Sequence, residues 1–258
     1  MQPPFPSLTS TWHNATYPDI DPSQPGLSVA GKTVLITGGG RGIGARMAHA
    51  FAKAGASVIG ITGRTESSLE ATKASIEREA PKGTRVLALT ADVIDEAAIN
   101  GAFAAVKDAS ENKQGIDIAV LNAGYLPGTA LIASPPSASA AESSAAVKDW
   151  WRGFETNVLG SYLATRAFLN NMRAKSASNP VEPVLIEVNT AAICFFPPAP
   201  TLSGYSASKA ASSHFFQSVA AENPEVRVMN FHPGVIETEM GKKAAEGGVK
   251  LPLDDGRS

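Results

Sequence analysis

Short apolar runs alternate with amphipathic helical stretches along most of this chain, and this alternation restricts the fold more than any other feature. The runs are apolar throughout, which is typical of strands buried on both faces of a sheet. Strands that alternate with helices predict parallel pairing through right-handed crossovers, and therefore a single doubly wound α/β sheet of six strands. The predicted strands are Thr33–Thr37, Ser57–Ile61, Arg85–Leu89, Ile116–Leu121, Val184–Val188 and Val226–Phe231. The predicted helices lie near 43–54, 66–79, 95–109, 147–174 and 206–222.

Composition and charge exclude several classes of protein. Of the 258 residues, 43% are hydrophobic and 18% are charged, which is ordinary for a globular chain. A net charge of −2 argues against a nucleic-acid partner. The single cysteine excludes an intrachain disulfide, and with only four histidines we predict no metal site. No apolar run approaches the ~20 residues that cross a bilayer, so we expect no membrane contact and a cytoplasmic protein.

The chain divides into three parts by composition. Residues 1–30 form a proline-rich extension without periodicity, and residues 31–238 carry the α/β pattern. Residues 239–258 form a short tail in which no strand is predicted. Within the central part, the Ser-, Ala- and Pro-rich segment Ser134–Ala146 predicts a mobile loop.

A glycine-rich segment joins the first predicted strand to the first predicted helix. Gly38, Gly42 and Gly44 permit a tight turn and a close approach of the backbone to a pyrophosphate. The start of the following helix offers free amides and the positive end of its dipole. Any loop can hold glycines, but this position between strand and helix favours a dinucleotide site. The predicted cofactor residues of this loop are Gly38, Gly40, Arg41, Gly42, Ile43 and Gly44.

The spacing Thr-Gly-x-x-x-Gly-Ile-Gly resembles the short-chain dehydrogenase/reductase family, and the resemblance extends from about Gly31 to Thr238. It implies a Rossmann fold and an oxidoreductase that moves a hydride between a nicotinamide cofactor and a carbonyl or secondary alcohol. Asp92-Val93 then matches the residues beside the adenine, and Asn122-Ala123-Gly124 matches the motif that lines the cofactor after the fourth strand. A helix cap is the alternative interpretation of Asp92.

The end of the second strand bears on the choice between the two nicotinamide cofactors. An acidic residue there would hold the ribose hydroxyls and repel a 2′-phosphate, but this strand ends in Thr62-Gly63-Arg64. Arg64 and Arg41 instead offer guanidinium groups, which match phosphate oxygens in a two-pronged geometry. We therefore predict NADP(H) as the cofactor. The alternatives are that both arginines are solvated surface charges, or that Glu66 neutralises Arg64.

Tyr205 and Lys209 are four residues apart on a predicted helix, so both side chains can point into one cleft. A free phenol has a pKa near 10, too high for ready proton exchange at neutral pH. A cation at ~4 Å, in an effective dielectric of about 20, favours the phenolate by about 4 kcal/mol, or roughly three pKa units, before burial opposes it. The pair therefore predicts an acid–base group.

The family resemblance implies further roles at the reacting end. Tyr205 would protonate the carbonyl oxygen or deprotonate the alcohol, and Lys209 would lower its pKa and hold the nicotinamide ribose. Asn157 matches the asparagine that anchors a proton-relay water, although a locally satisfied helix residue is the alternative. The residues implied around the nicotinamide are Pro233, Gly234, Ile236 and Thr238.

The serine that completes the family's catalytic set has no direct equivalent in this chain. Counting thirteen residues back from Tyr205, the usual family spacing, reaches Ala192, which has no hydroxyl. Aligning the end of the fifth strand instead places Thr190 in the serine position, followed by a longer loop. Because loop length changes more readily than strand geometry, we expect Thr190 to take this role.

Several expectations concern substrate, assembly and activity. The family's usual seventh strand is missing from the predicted pattern. Candidate apolar residues beside the nicotinamide favour a hydrophobic carbonyl or alcohol substrate. The resemblance implies a homodimer or homotetramer that pairs through the helices near 147–174 and 206–222. A cofactor-binding sensor or scaffold without turnover is the competing hypothesis. The candidate apolar residues are Tyr125, Leu126, Trp151, Phe195 and Phe196.

Overall fold

Six strands form one sheet in the computed structural model, which describes residues 11, 13, 15–79, 83–133, 137–175, 181–194 and 196–248. The strands are β1 (Thr33–Thr37), β2 (Val58–Gly63), β3 (Arg85–Thr90), β4 (Ile118–Leu121), β5 (Val184–Val188) and β6 (Arg227–Phe231). Their order across the sheet is β3-β2-β1-β4-β5-β6, and every neighbouring pair is parallel. The predicted doubly wound α/β sheet of six strands is confirmed.

Helices cover both faces of this sheet. The central strand β1 shows why its sequence is apolar throughout, since Leu35 packs into one core and Val34 and Ile36 pack into the other. Phe103, Phe168 and other apolar residues complete the first core, and Leu69 and Ile76 belong to the second. The helices are α1 (Gly42–Lys53), α2 (Glu66–Glu79), α3 (Glu96–Ala109), α4 (Ala140–Phe154), α5 (Gly160–Asn171), α6 (Ser203–Glu222) and α7 (Glu239–Glu246).

The loop predicted over Ser134–Ala146 is wrong for its second half, because α4 begins at Ala140. Ser139 and Glu142 form a capping box: the Ser139 hydroxyl accepts from the Glu142 amide, and the Glu142 carboxylate accepts from the Ser139 amide at 2.8 Å. The two bonds satisfy backbone donors at the helix start, and the Ala and Glu residues that follow favour a helix. Residues 134–136 lie outside the described part of the chain.

The single helix predicted over 147–174 is divided into α4 and α5 by a π-helical turn at Glu155–Leu159. The wider turn inserts into an otherwise continuous helical path, which the apolar periodicity does not reveal. Asn157 lies in this turn and is fully buried. The irregularity thus falls on a predicted site residue, as π-helical turns often do.

The segment after β6 contains one helix and no further strand among the described residues. Thr238 caps α7 by accepting a hydrogen bond from the Gly241 amide at 3.0 Å. Since β6 is the last strand of the sheet, Met229 and Phe231 are about half exposed there.

Among the described helices, none is long and apolar enough to cross a membrane. The residues that the structure describes hold no cluster of three or more His, Cys, Asp or Glu able to bind a metal.

Candidate active site

A cleft of about 400 Å³ opens at the carboxyl ends of the strands, where ligands bind in doubly wound folds. The loops that follow all six strands contribute to its walls. Five predicted site residues, Gly44, Asn157, Thr190, Gly234 and Ile236, are not part of its lining. The predicted residues that line it are Gly38, Gly40, Arg41, Gly42, Ile43, Arg64, Asp92, Val93, Asn122, Ala123, Gly124, Tyr205, Lys209, Pro233 and Thr238.

The glycine loop has a geometry that side chains would prevent. Gly38 and Gly42 adopt φ values of 68° and 57°, in the left-handed region that favours glycine. A Cβ atom at Gly44 would lie 2.3 Å from the Gly38 carbonyl oxygen, so this glycine allows close packing and does not line the cleft. Arg41 occupies the N-cap of α1 without a side-chain cap, which leaves the first amides of the helix available to an anion.

Asn122 and Thr37 join the glycine loop to the end of β4. The Asn122 side-chain amide donates to the carbonyl oxygens of Thr37 and Gly38, at 3.0 and 3.1 Å. In return, the Thr37 hydroxyl accepts from the amides of Asn122 and Ala123, both at 3.1 Å. Sequence reasoning missed Thr37, although its position at the end of a buried strand before the glycines was a usable signal.

The structure excludes the interpretation of Asp92 as a helix cap. Helix α3 begins at Glu96, and its N-cap is Asp95, whose carboxylate accepts from the Ala98 amide at 3.0 Å. Asp92 is therefore not the cap of this helix. Its carboxylate accepts from the Ile94 amide at 3.3 Å and faces the cleft beside Val93.

Arg41 and Arg64 both line the cleft, at the end where β1 and β2 finish. Among the described residues, Glu66 forms no ion pair with Arg64, so that alternative is not found. Arg41 does have an acidic partner, the carboxylate of Glu239 in the first turn of α7. Sequence reasoning missed Glu239, because its contact with Arg41 bridges distant parts of the chain.

Tyr205 lies in the first turn of α6, where the nearby Thr190 side chain acts to lower the pKa of its phenol. Thr190 directly follows β5, whereas Ala192 lies in a short 3₁₀ turn and donates its amide to the Thr190 hydroxyl at 3.2 Å. Of the two alternatives for the serine position, the structure brings Thr190 to Tyr205.

The electrostatic relationship between Lys209 and Tyr205 differs from the sequence expectation. The Lys209 ammonium donates to the Val188 carbonyl at 2.7 Å and lies 3.9 Å from the Glu187 carboxylate. Burial lowers the pKa of Lys209, and Glu187 opposes this effect. Burial raises the pKa of Tyr205; the Thr190 side chain lowers it, and the charge of Glu187 raises it further. The expectation that Lys209 lowers the Tyr205 pKa is therefore wrong for this structure, in which burial and Glu187 raise that pKa.

The Asn157 side chain makes three hydrogen bonds to groups of the protein. Its amide group donates to the Tyr125 carbonyl and to the Ser208 hydroxyl, both at 2.9 Å. Its side-chain oxygen accepts from the Tyr125 amide at 2.8 Å. These partners are distant in sequence, so the alternative of a locally satisfied helix residue is not what the structure shows. The bonds tie the loop after β4 to helix α6 near Tyr205.

Tyr125 lines the cleft and belongs to a cluster of polar contacts that sequence reasoning did not anticipate. The Tyr125 phenol donates to Asp149 of α4, which also accepts from the Gly128 amide. From α7, Lys243 donates to the Leu126 carbonyl at 2.6 Å, and its ammonium lies 5.0 Å from the centre of the Tyr125 ring. Burial and Asp149 both raise the pKa of Tyr125, so its phenol stays a hydrogen-bond donor at neutral pH.

The apolar residues expected beside the nicotinamide are not gathered in one place. Tyr125 lines the cleft and Leu126 is buried next to it. Trp151 is 55% exposed and stacks on Phe154 outside the cleft lining, while Phe196 is 98% exposed. Phe195 lies outside the described residues. Aromatic content alone could not separate cleft residues from surface residues.

Comparison with known sequences identifies one family throughout. Residues 32–248 match the family described as short chain dehydrogenase. The chain is 34% identical over 234 residues to the short chain dehydrogenase tazN of Aspergillus terreus, covering 90% of this chain and 47% of that protein. It is 36% identical over 242 residues to the short chain dehydrogenase pigC of Monascus ruber, covering 90% and 71%. The chain thus spans about half the length of the first of these relatives.

Solved structures with the same architecture include proteins with either nicotinamide cofactor. A short chain dehydrogenase from Burkholderia cenocepacia in complex with NADP superposes with a TM-score of 0.65 at 28% identity, covering 82% of this chain and 77% of that one. A 3-ketoacyl-(acyl-carrier-protein) reductase from Brucella melitensis complexed with NADH gives 0.68 at 28% identity, covering 84% and 80%.

Proposed function

This chain belongs to the short-chain dehydrogenase family, and on that premise we propose that it is an NADP(H)-dependent oxidoreductase acting on a carbonyl or secondary alcohol. The observation that carries the proposal is the single cleft in which the glycine loop, Arg41 and Arg64 lead to Tyr205 and Lys209. A phosphate-binding loop and a proton donor at the two ends of one cleft are what hydride transfer to a carbonyl requires.

The residues of the cleft fit a dinucleotide. The uncapped N-terminus of α1 offers amides to a pyrophosphate, and the glycines leave room for it. Asp92 and Val93 would border the adenine, Lys209 would hold ribose hydroxyls, and Pro233 and Thr238 would border the nicotinamide. When bound, the nicotinamide supplies or accepts the hydride, and the protein contributes orientation and proton transfer.

The preference for NADP(H) rests on the charges near the end of β2. Arg64 follows this strand, Arg41 lies across the same part of the cleft, and Glu66 does not pair with Arg64. Two guanidinium groups without a nearby competing carboxylate from β2 favour a 2′-phosphate. The Burkholderia relative bound to NADP supports this choice, whereas the Brucella reductase was solved with NADH.

Tyr205 is the proposed general acid or base. In the reduction its phenol gives a proton to the carbonyl oxygen as the hydride reaches the carbonyl carbon, and in the oxidation its phenolate takes the proton from the alcohol. The Thr190 hydroxyl, whose side chain acts to lower the pKa of this phenol, would orient the same substrate oxygen. The Lys209 ammonium, which donates to the Val188 carbonyl beside this group, would hold the nicotinamide ribose.

The proposed substrate is a small hydrophobic carbonyl compound or alcohol, and the proposed assembly is a homodimer or homotetramer in the cytoplasm. The Brucella neighbour is a 3-ketoacyl-(acyl-carrier-protein) reductase, whose name supports a carbonyl as the reacting group. Trp151 on α4 and Tyr162 on α5 are 55% and 44% exposed, and such aromatic residues are enriched where protein surfaces pair. Light scattering on the purified chain tests the assembly.

Titration of the chain's fluorescence with NADPH, and separately with NADH, tests the function first. We expect saturable binding that is tighter for NADPH, followed by oxidation of NADPH with a panel of hydrophobic ketones. Tighter binding of NADH would overturn the cofactor choice. Binding without turnover on any carbonyl would favour the non-catalytic sensor or scaffold instead.

A further inference from the structure

Glu187 is a fully buried carboxylate in a strand that otherwise carries apolar residues. It lies in β5 with 0% exposure, where a parallel sheet covered on both faces calls for an aliphatic side chain. Its partners in the neighbouring strands are Leu121 and Asn230, neither of which titrates. A buried carboxylate is costly unless hydrogen bonds and an opposite charge compensate it, so its surroundings indicate its purpose.

Every partner of the Glu187 carboxylate belongs to the reacting end of the cleft or to helix α6 beneath it. One oxygen accepts from the Ser212 hydroxyl and lies 3.9 Å from the Lys209 ammonium. The other accepts from the Asn189 side-chain amide at 3.0 Å. Lys209 is itself 4% exposed, so the two opposite charges compensate each other inside the protein.

Asn189 connects the carboxylate to the group that contacts Tyr205. While its amide group donates to Glu187, its side-chain oxygen accepts from the Thr190 backbone amide at 2.7 Å. The same amide group reaches the Lys209 carbonyl at 3.3 Å. Hydrogen bonds thus run from Glu187 through Asn189 to the Thr190 backbone, and the Thr190 side chain acts on the pKa of the Tyr205 phenol.

We infer that Glu187 is a positioning residue of the proposed active site, which holds the Lys209 ammonium from below and, through Asn189, orients Thr190 toward Tyr205. The inference rests on the proposed function of Tyr205 and Lys209. Glu187 does not line the cleft and touches neither substrate nor cofactor. The negative charge of Glu187 balances the positive charge of Lys209. The Tyr205 phenol is therefore subject to both charges and not to the ammonium alone.

Ionisation of Tyr205 reports on this balance without any substrate. Among the described residues, Glu187 is the charged group that acts on the pKa of Tyr205, and Lys209 is the one that acts on the pKa of Glu187. Removal of the carboxylate takes away the negative charge that raises the pKa of Tyr205. The phenolate is then favoured, and the pKa of Tyr205 falls.

The experiment follows the ultraviolet absorbance of tyrosinate in the whole chain during an alkaline titration. Each protein is compared with its own Tyr205→Phe form, which isolates Tyr205 from the three other tyrosines. We expect Tyr205 to ionise about one pH unit lower in Glu187→Gln than in the parent chain. Glu187→Asp keeps the charge and should return the titration toward that of the parent. Circular dichroism over the same range marks where each protein unfolds.

The controls separate electrostatic positioning from packing. Glu182→Gln removes a partly exposed carboxylate just before β5, and Ser212→Ala removes a hydrogen bond to Glu187 without changing its charge. Both should titrate like the parent. Equal titration of Tyr205 in parent and Glu187→Gln, or a phenol that stays protonated until unfolding in both, overturns the inference. Because the assay needs no turnover, its failure is distinct from a failure of the proposed activity.

Discussion

Arg41 in the glycine loop is paired with the carboxylate of Glu239 at the start of α7. Both side chains line the cleft, and more than two thirds of each is exposed. The guanidinium proposed to meet a 2′-phosphate is therefore already in contact with an anion of the protein. An incoming phosphate has to replace this carboxylate or share Arg41 with it.

Replacement of Glu239 should accordingly favour the phosphorylated cofactor. We expect Glu239→Gln to tighten NADPH binding by about two- to five-fold, the range of an exposed ion pair, with little change for NADH. Glu237→Gln is the matched control, since Glu237 lies 3.6 Å from Lys242 and outside the cleft lining. Equal tightening of both cofactors would show that Glu239 acts on closure of the cleft and not on the phosphate.

Reversal of the charge at Arg64 should invert the cofactor preference. An aspartate after β2 would accept hydrogen bonds from the ribose hydroxyls and repel a 2′-phosphate. Arg64→Asp is expected to weaken NADPH binding at least about ten-fold relative to NADH, corresponding to loss of one charge-assisted contact. Arg46→Asp, on an exposed position of α1, makes the same charge change away from the cleft. If both variants lose NADPH equally, general electrostatic attraction explains the preference.

Tyr205→Phe removes the proposed proton donor and leaves the ring in place. Turnover should fall by about 10²–10⁴-fold, the usual contribution of a general acid, while NADPH affinity is retained. Tyr162→Phe, on the exposed face of α5, should leave turnover unchanged.

The Thr190 hydroxyl is tested by two variants. Thr190→Ser keeps a hydroxyl and should keep most of the activity, whereas Thr190→Ala removes it and should lose the activity. Comparable activity in both Thr190 variants would remove that hydroxyl from the proposed mechanism.

The direction of the Tyr205 pKa shift sets the pH dependence of the proposed reaction. Burial raises this pKa, so the phenol is protonated throughout the neutral range. Reduction needs the protonated phenol, so ionisation of Tyr205 should not lower its rate below about pH 10. Oxidation needs the phenolate and should rise with pH across the same range. Initial rates in both directions check this, and an acid-side loss of reduction near neutrality would point to another proton donor.

The fold was predictable because its determinants are local, whereas parts of the site depend on contacts across the chain. Apolar runs located all six strands to within two residues at each end, because the central strands are buried on both faces and even the edge strands β3 and β6 are largely apolar in sequence. The π-helical turn around Asn157 leaves no periodic signal, and the capping box at Ser139 was hidden in a Ser- and Ala-rich segment. In the sequence, Glu187 is recognisable only as a charged residue among the apolar residues of β5. Its relation to Lys209 follows only from the way α6 packs on the sheet.

Gly44 and Gly101 both lie in helices, but only Gly44 packs against the glycine loop. Replacing each by alanine therefore distinguishes the packing of that loop from ordinary helix propensity. A Cβ at Gly44 would lie 2.3 Å from the Gly38 carbonyl and 2.5 Å from the Asn122 side chain, so Gly44→Ala must displace the loop. We expect it to lower the free energy of unfolding by about 1–3 kcal/mol, as overpacking does, and to weaken NADPH binding.

Gly101 is the matched control, because it lies in α3 and a Cβ there meets nothing within 4 Å. Gly101→Ala should raise the free energy of unfolding by about 0.5–1 kcal/mol and leave cofactor binding unchanged. Urea denaturation and NADPH titration of both variants give the comparison. Since the two changes add the same methyl group to a helix, opposite signs would locate the effect in the contact of α1 with Gly38 and Asn122. Equal stability of both variants would mean that the glycine loop yields to the added methyl group without cost.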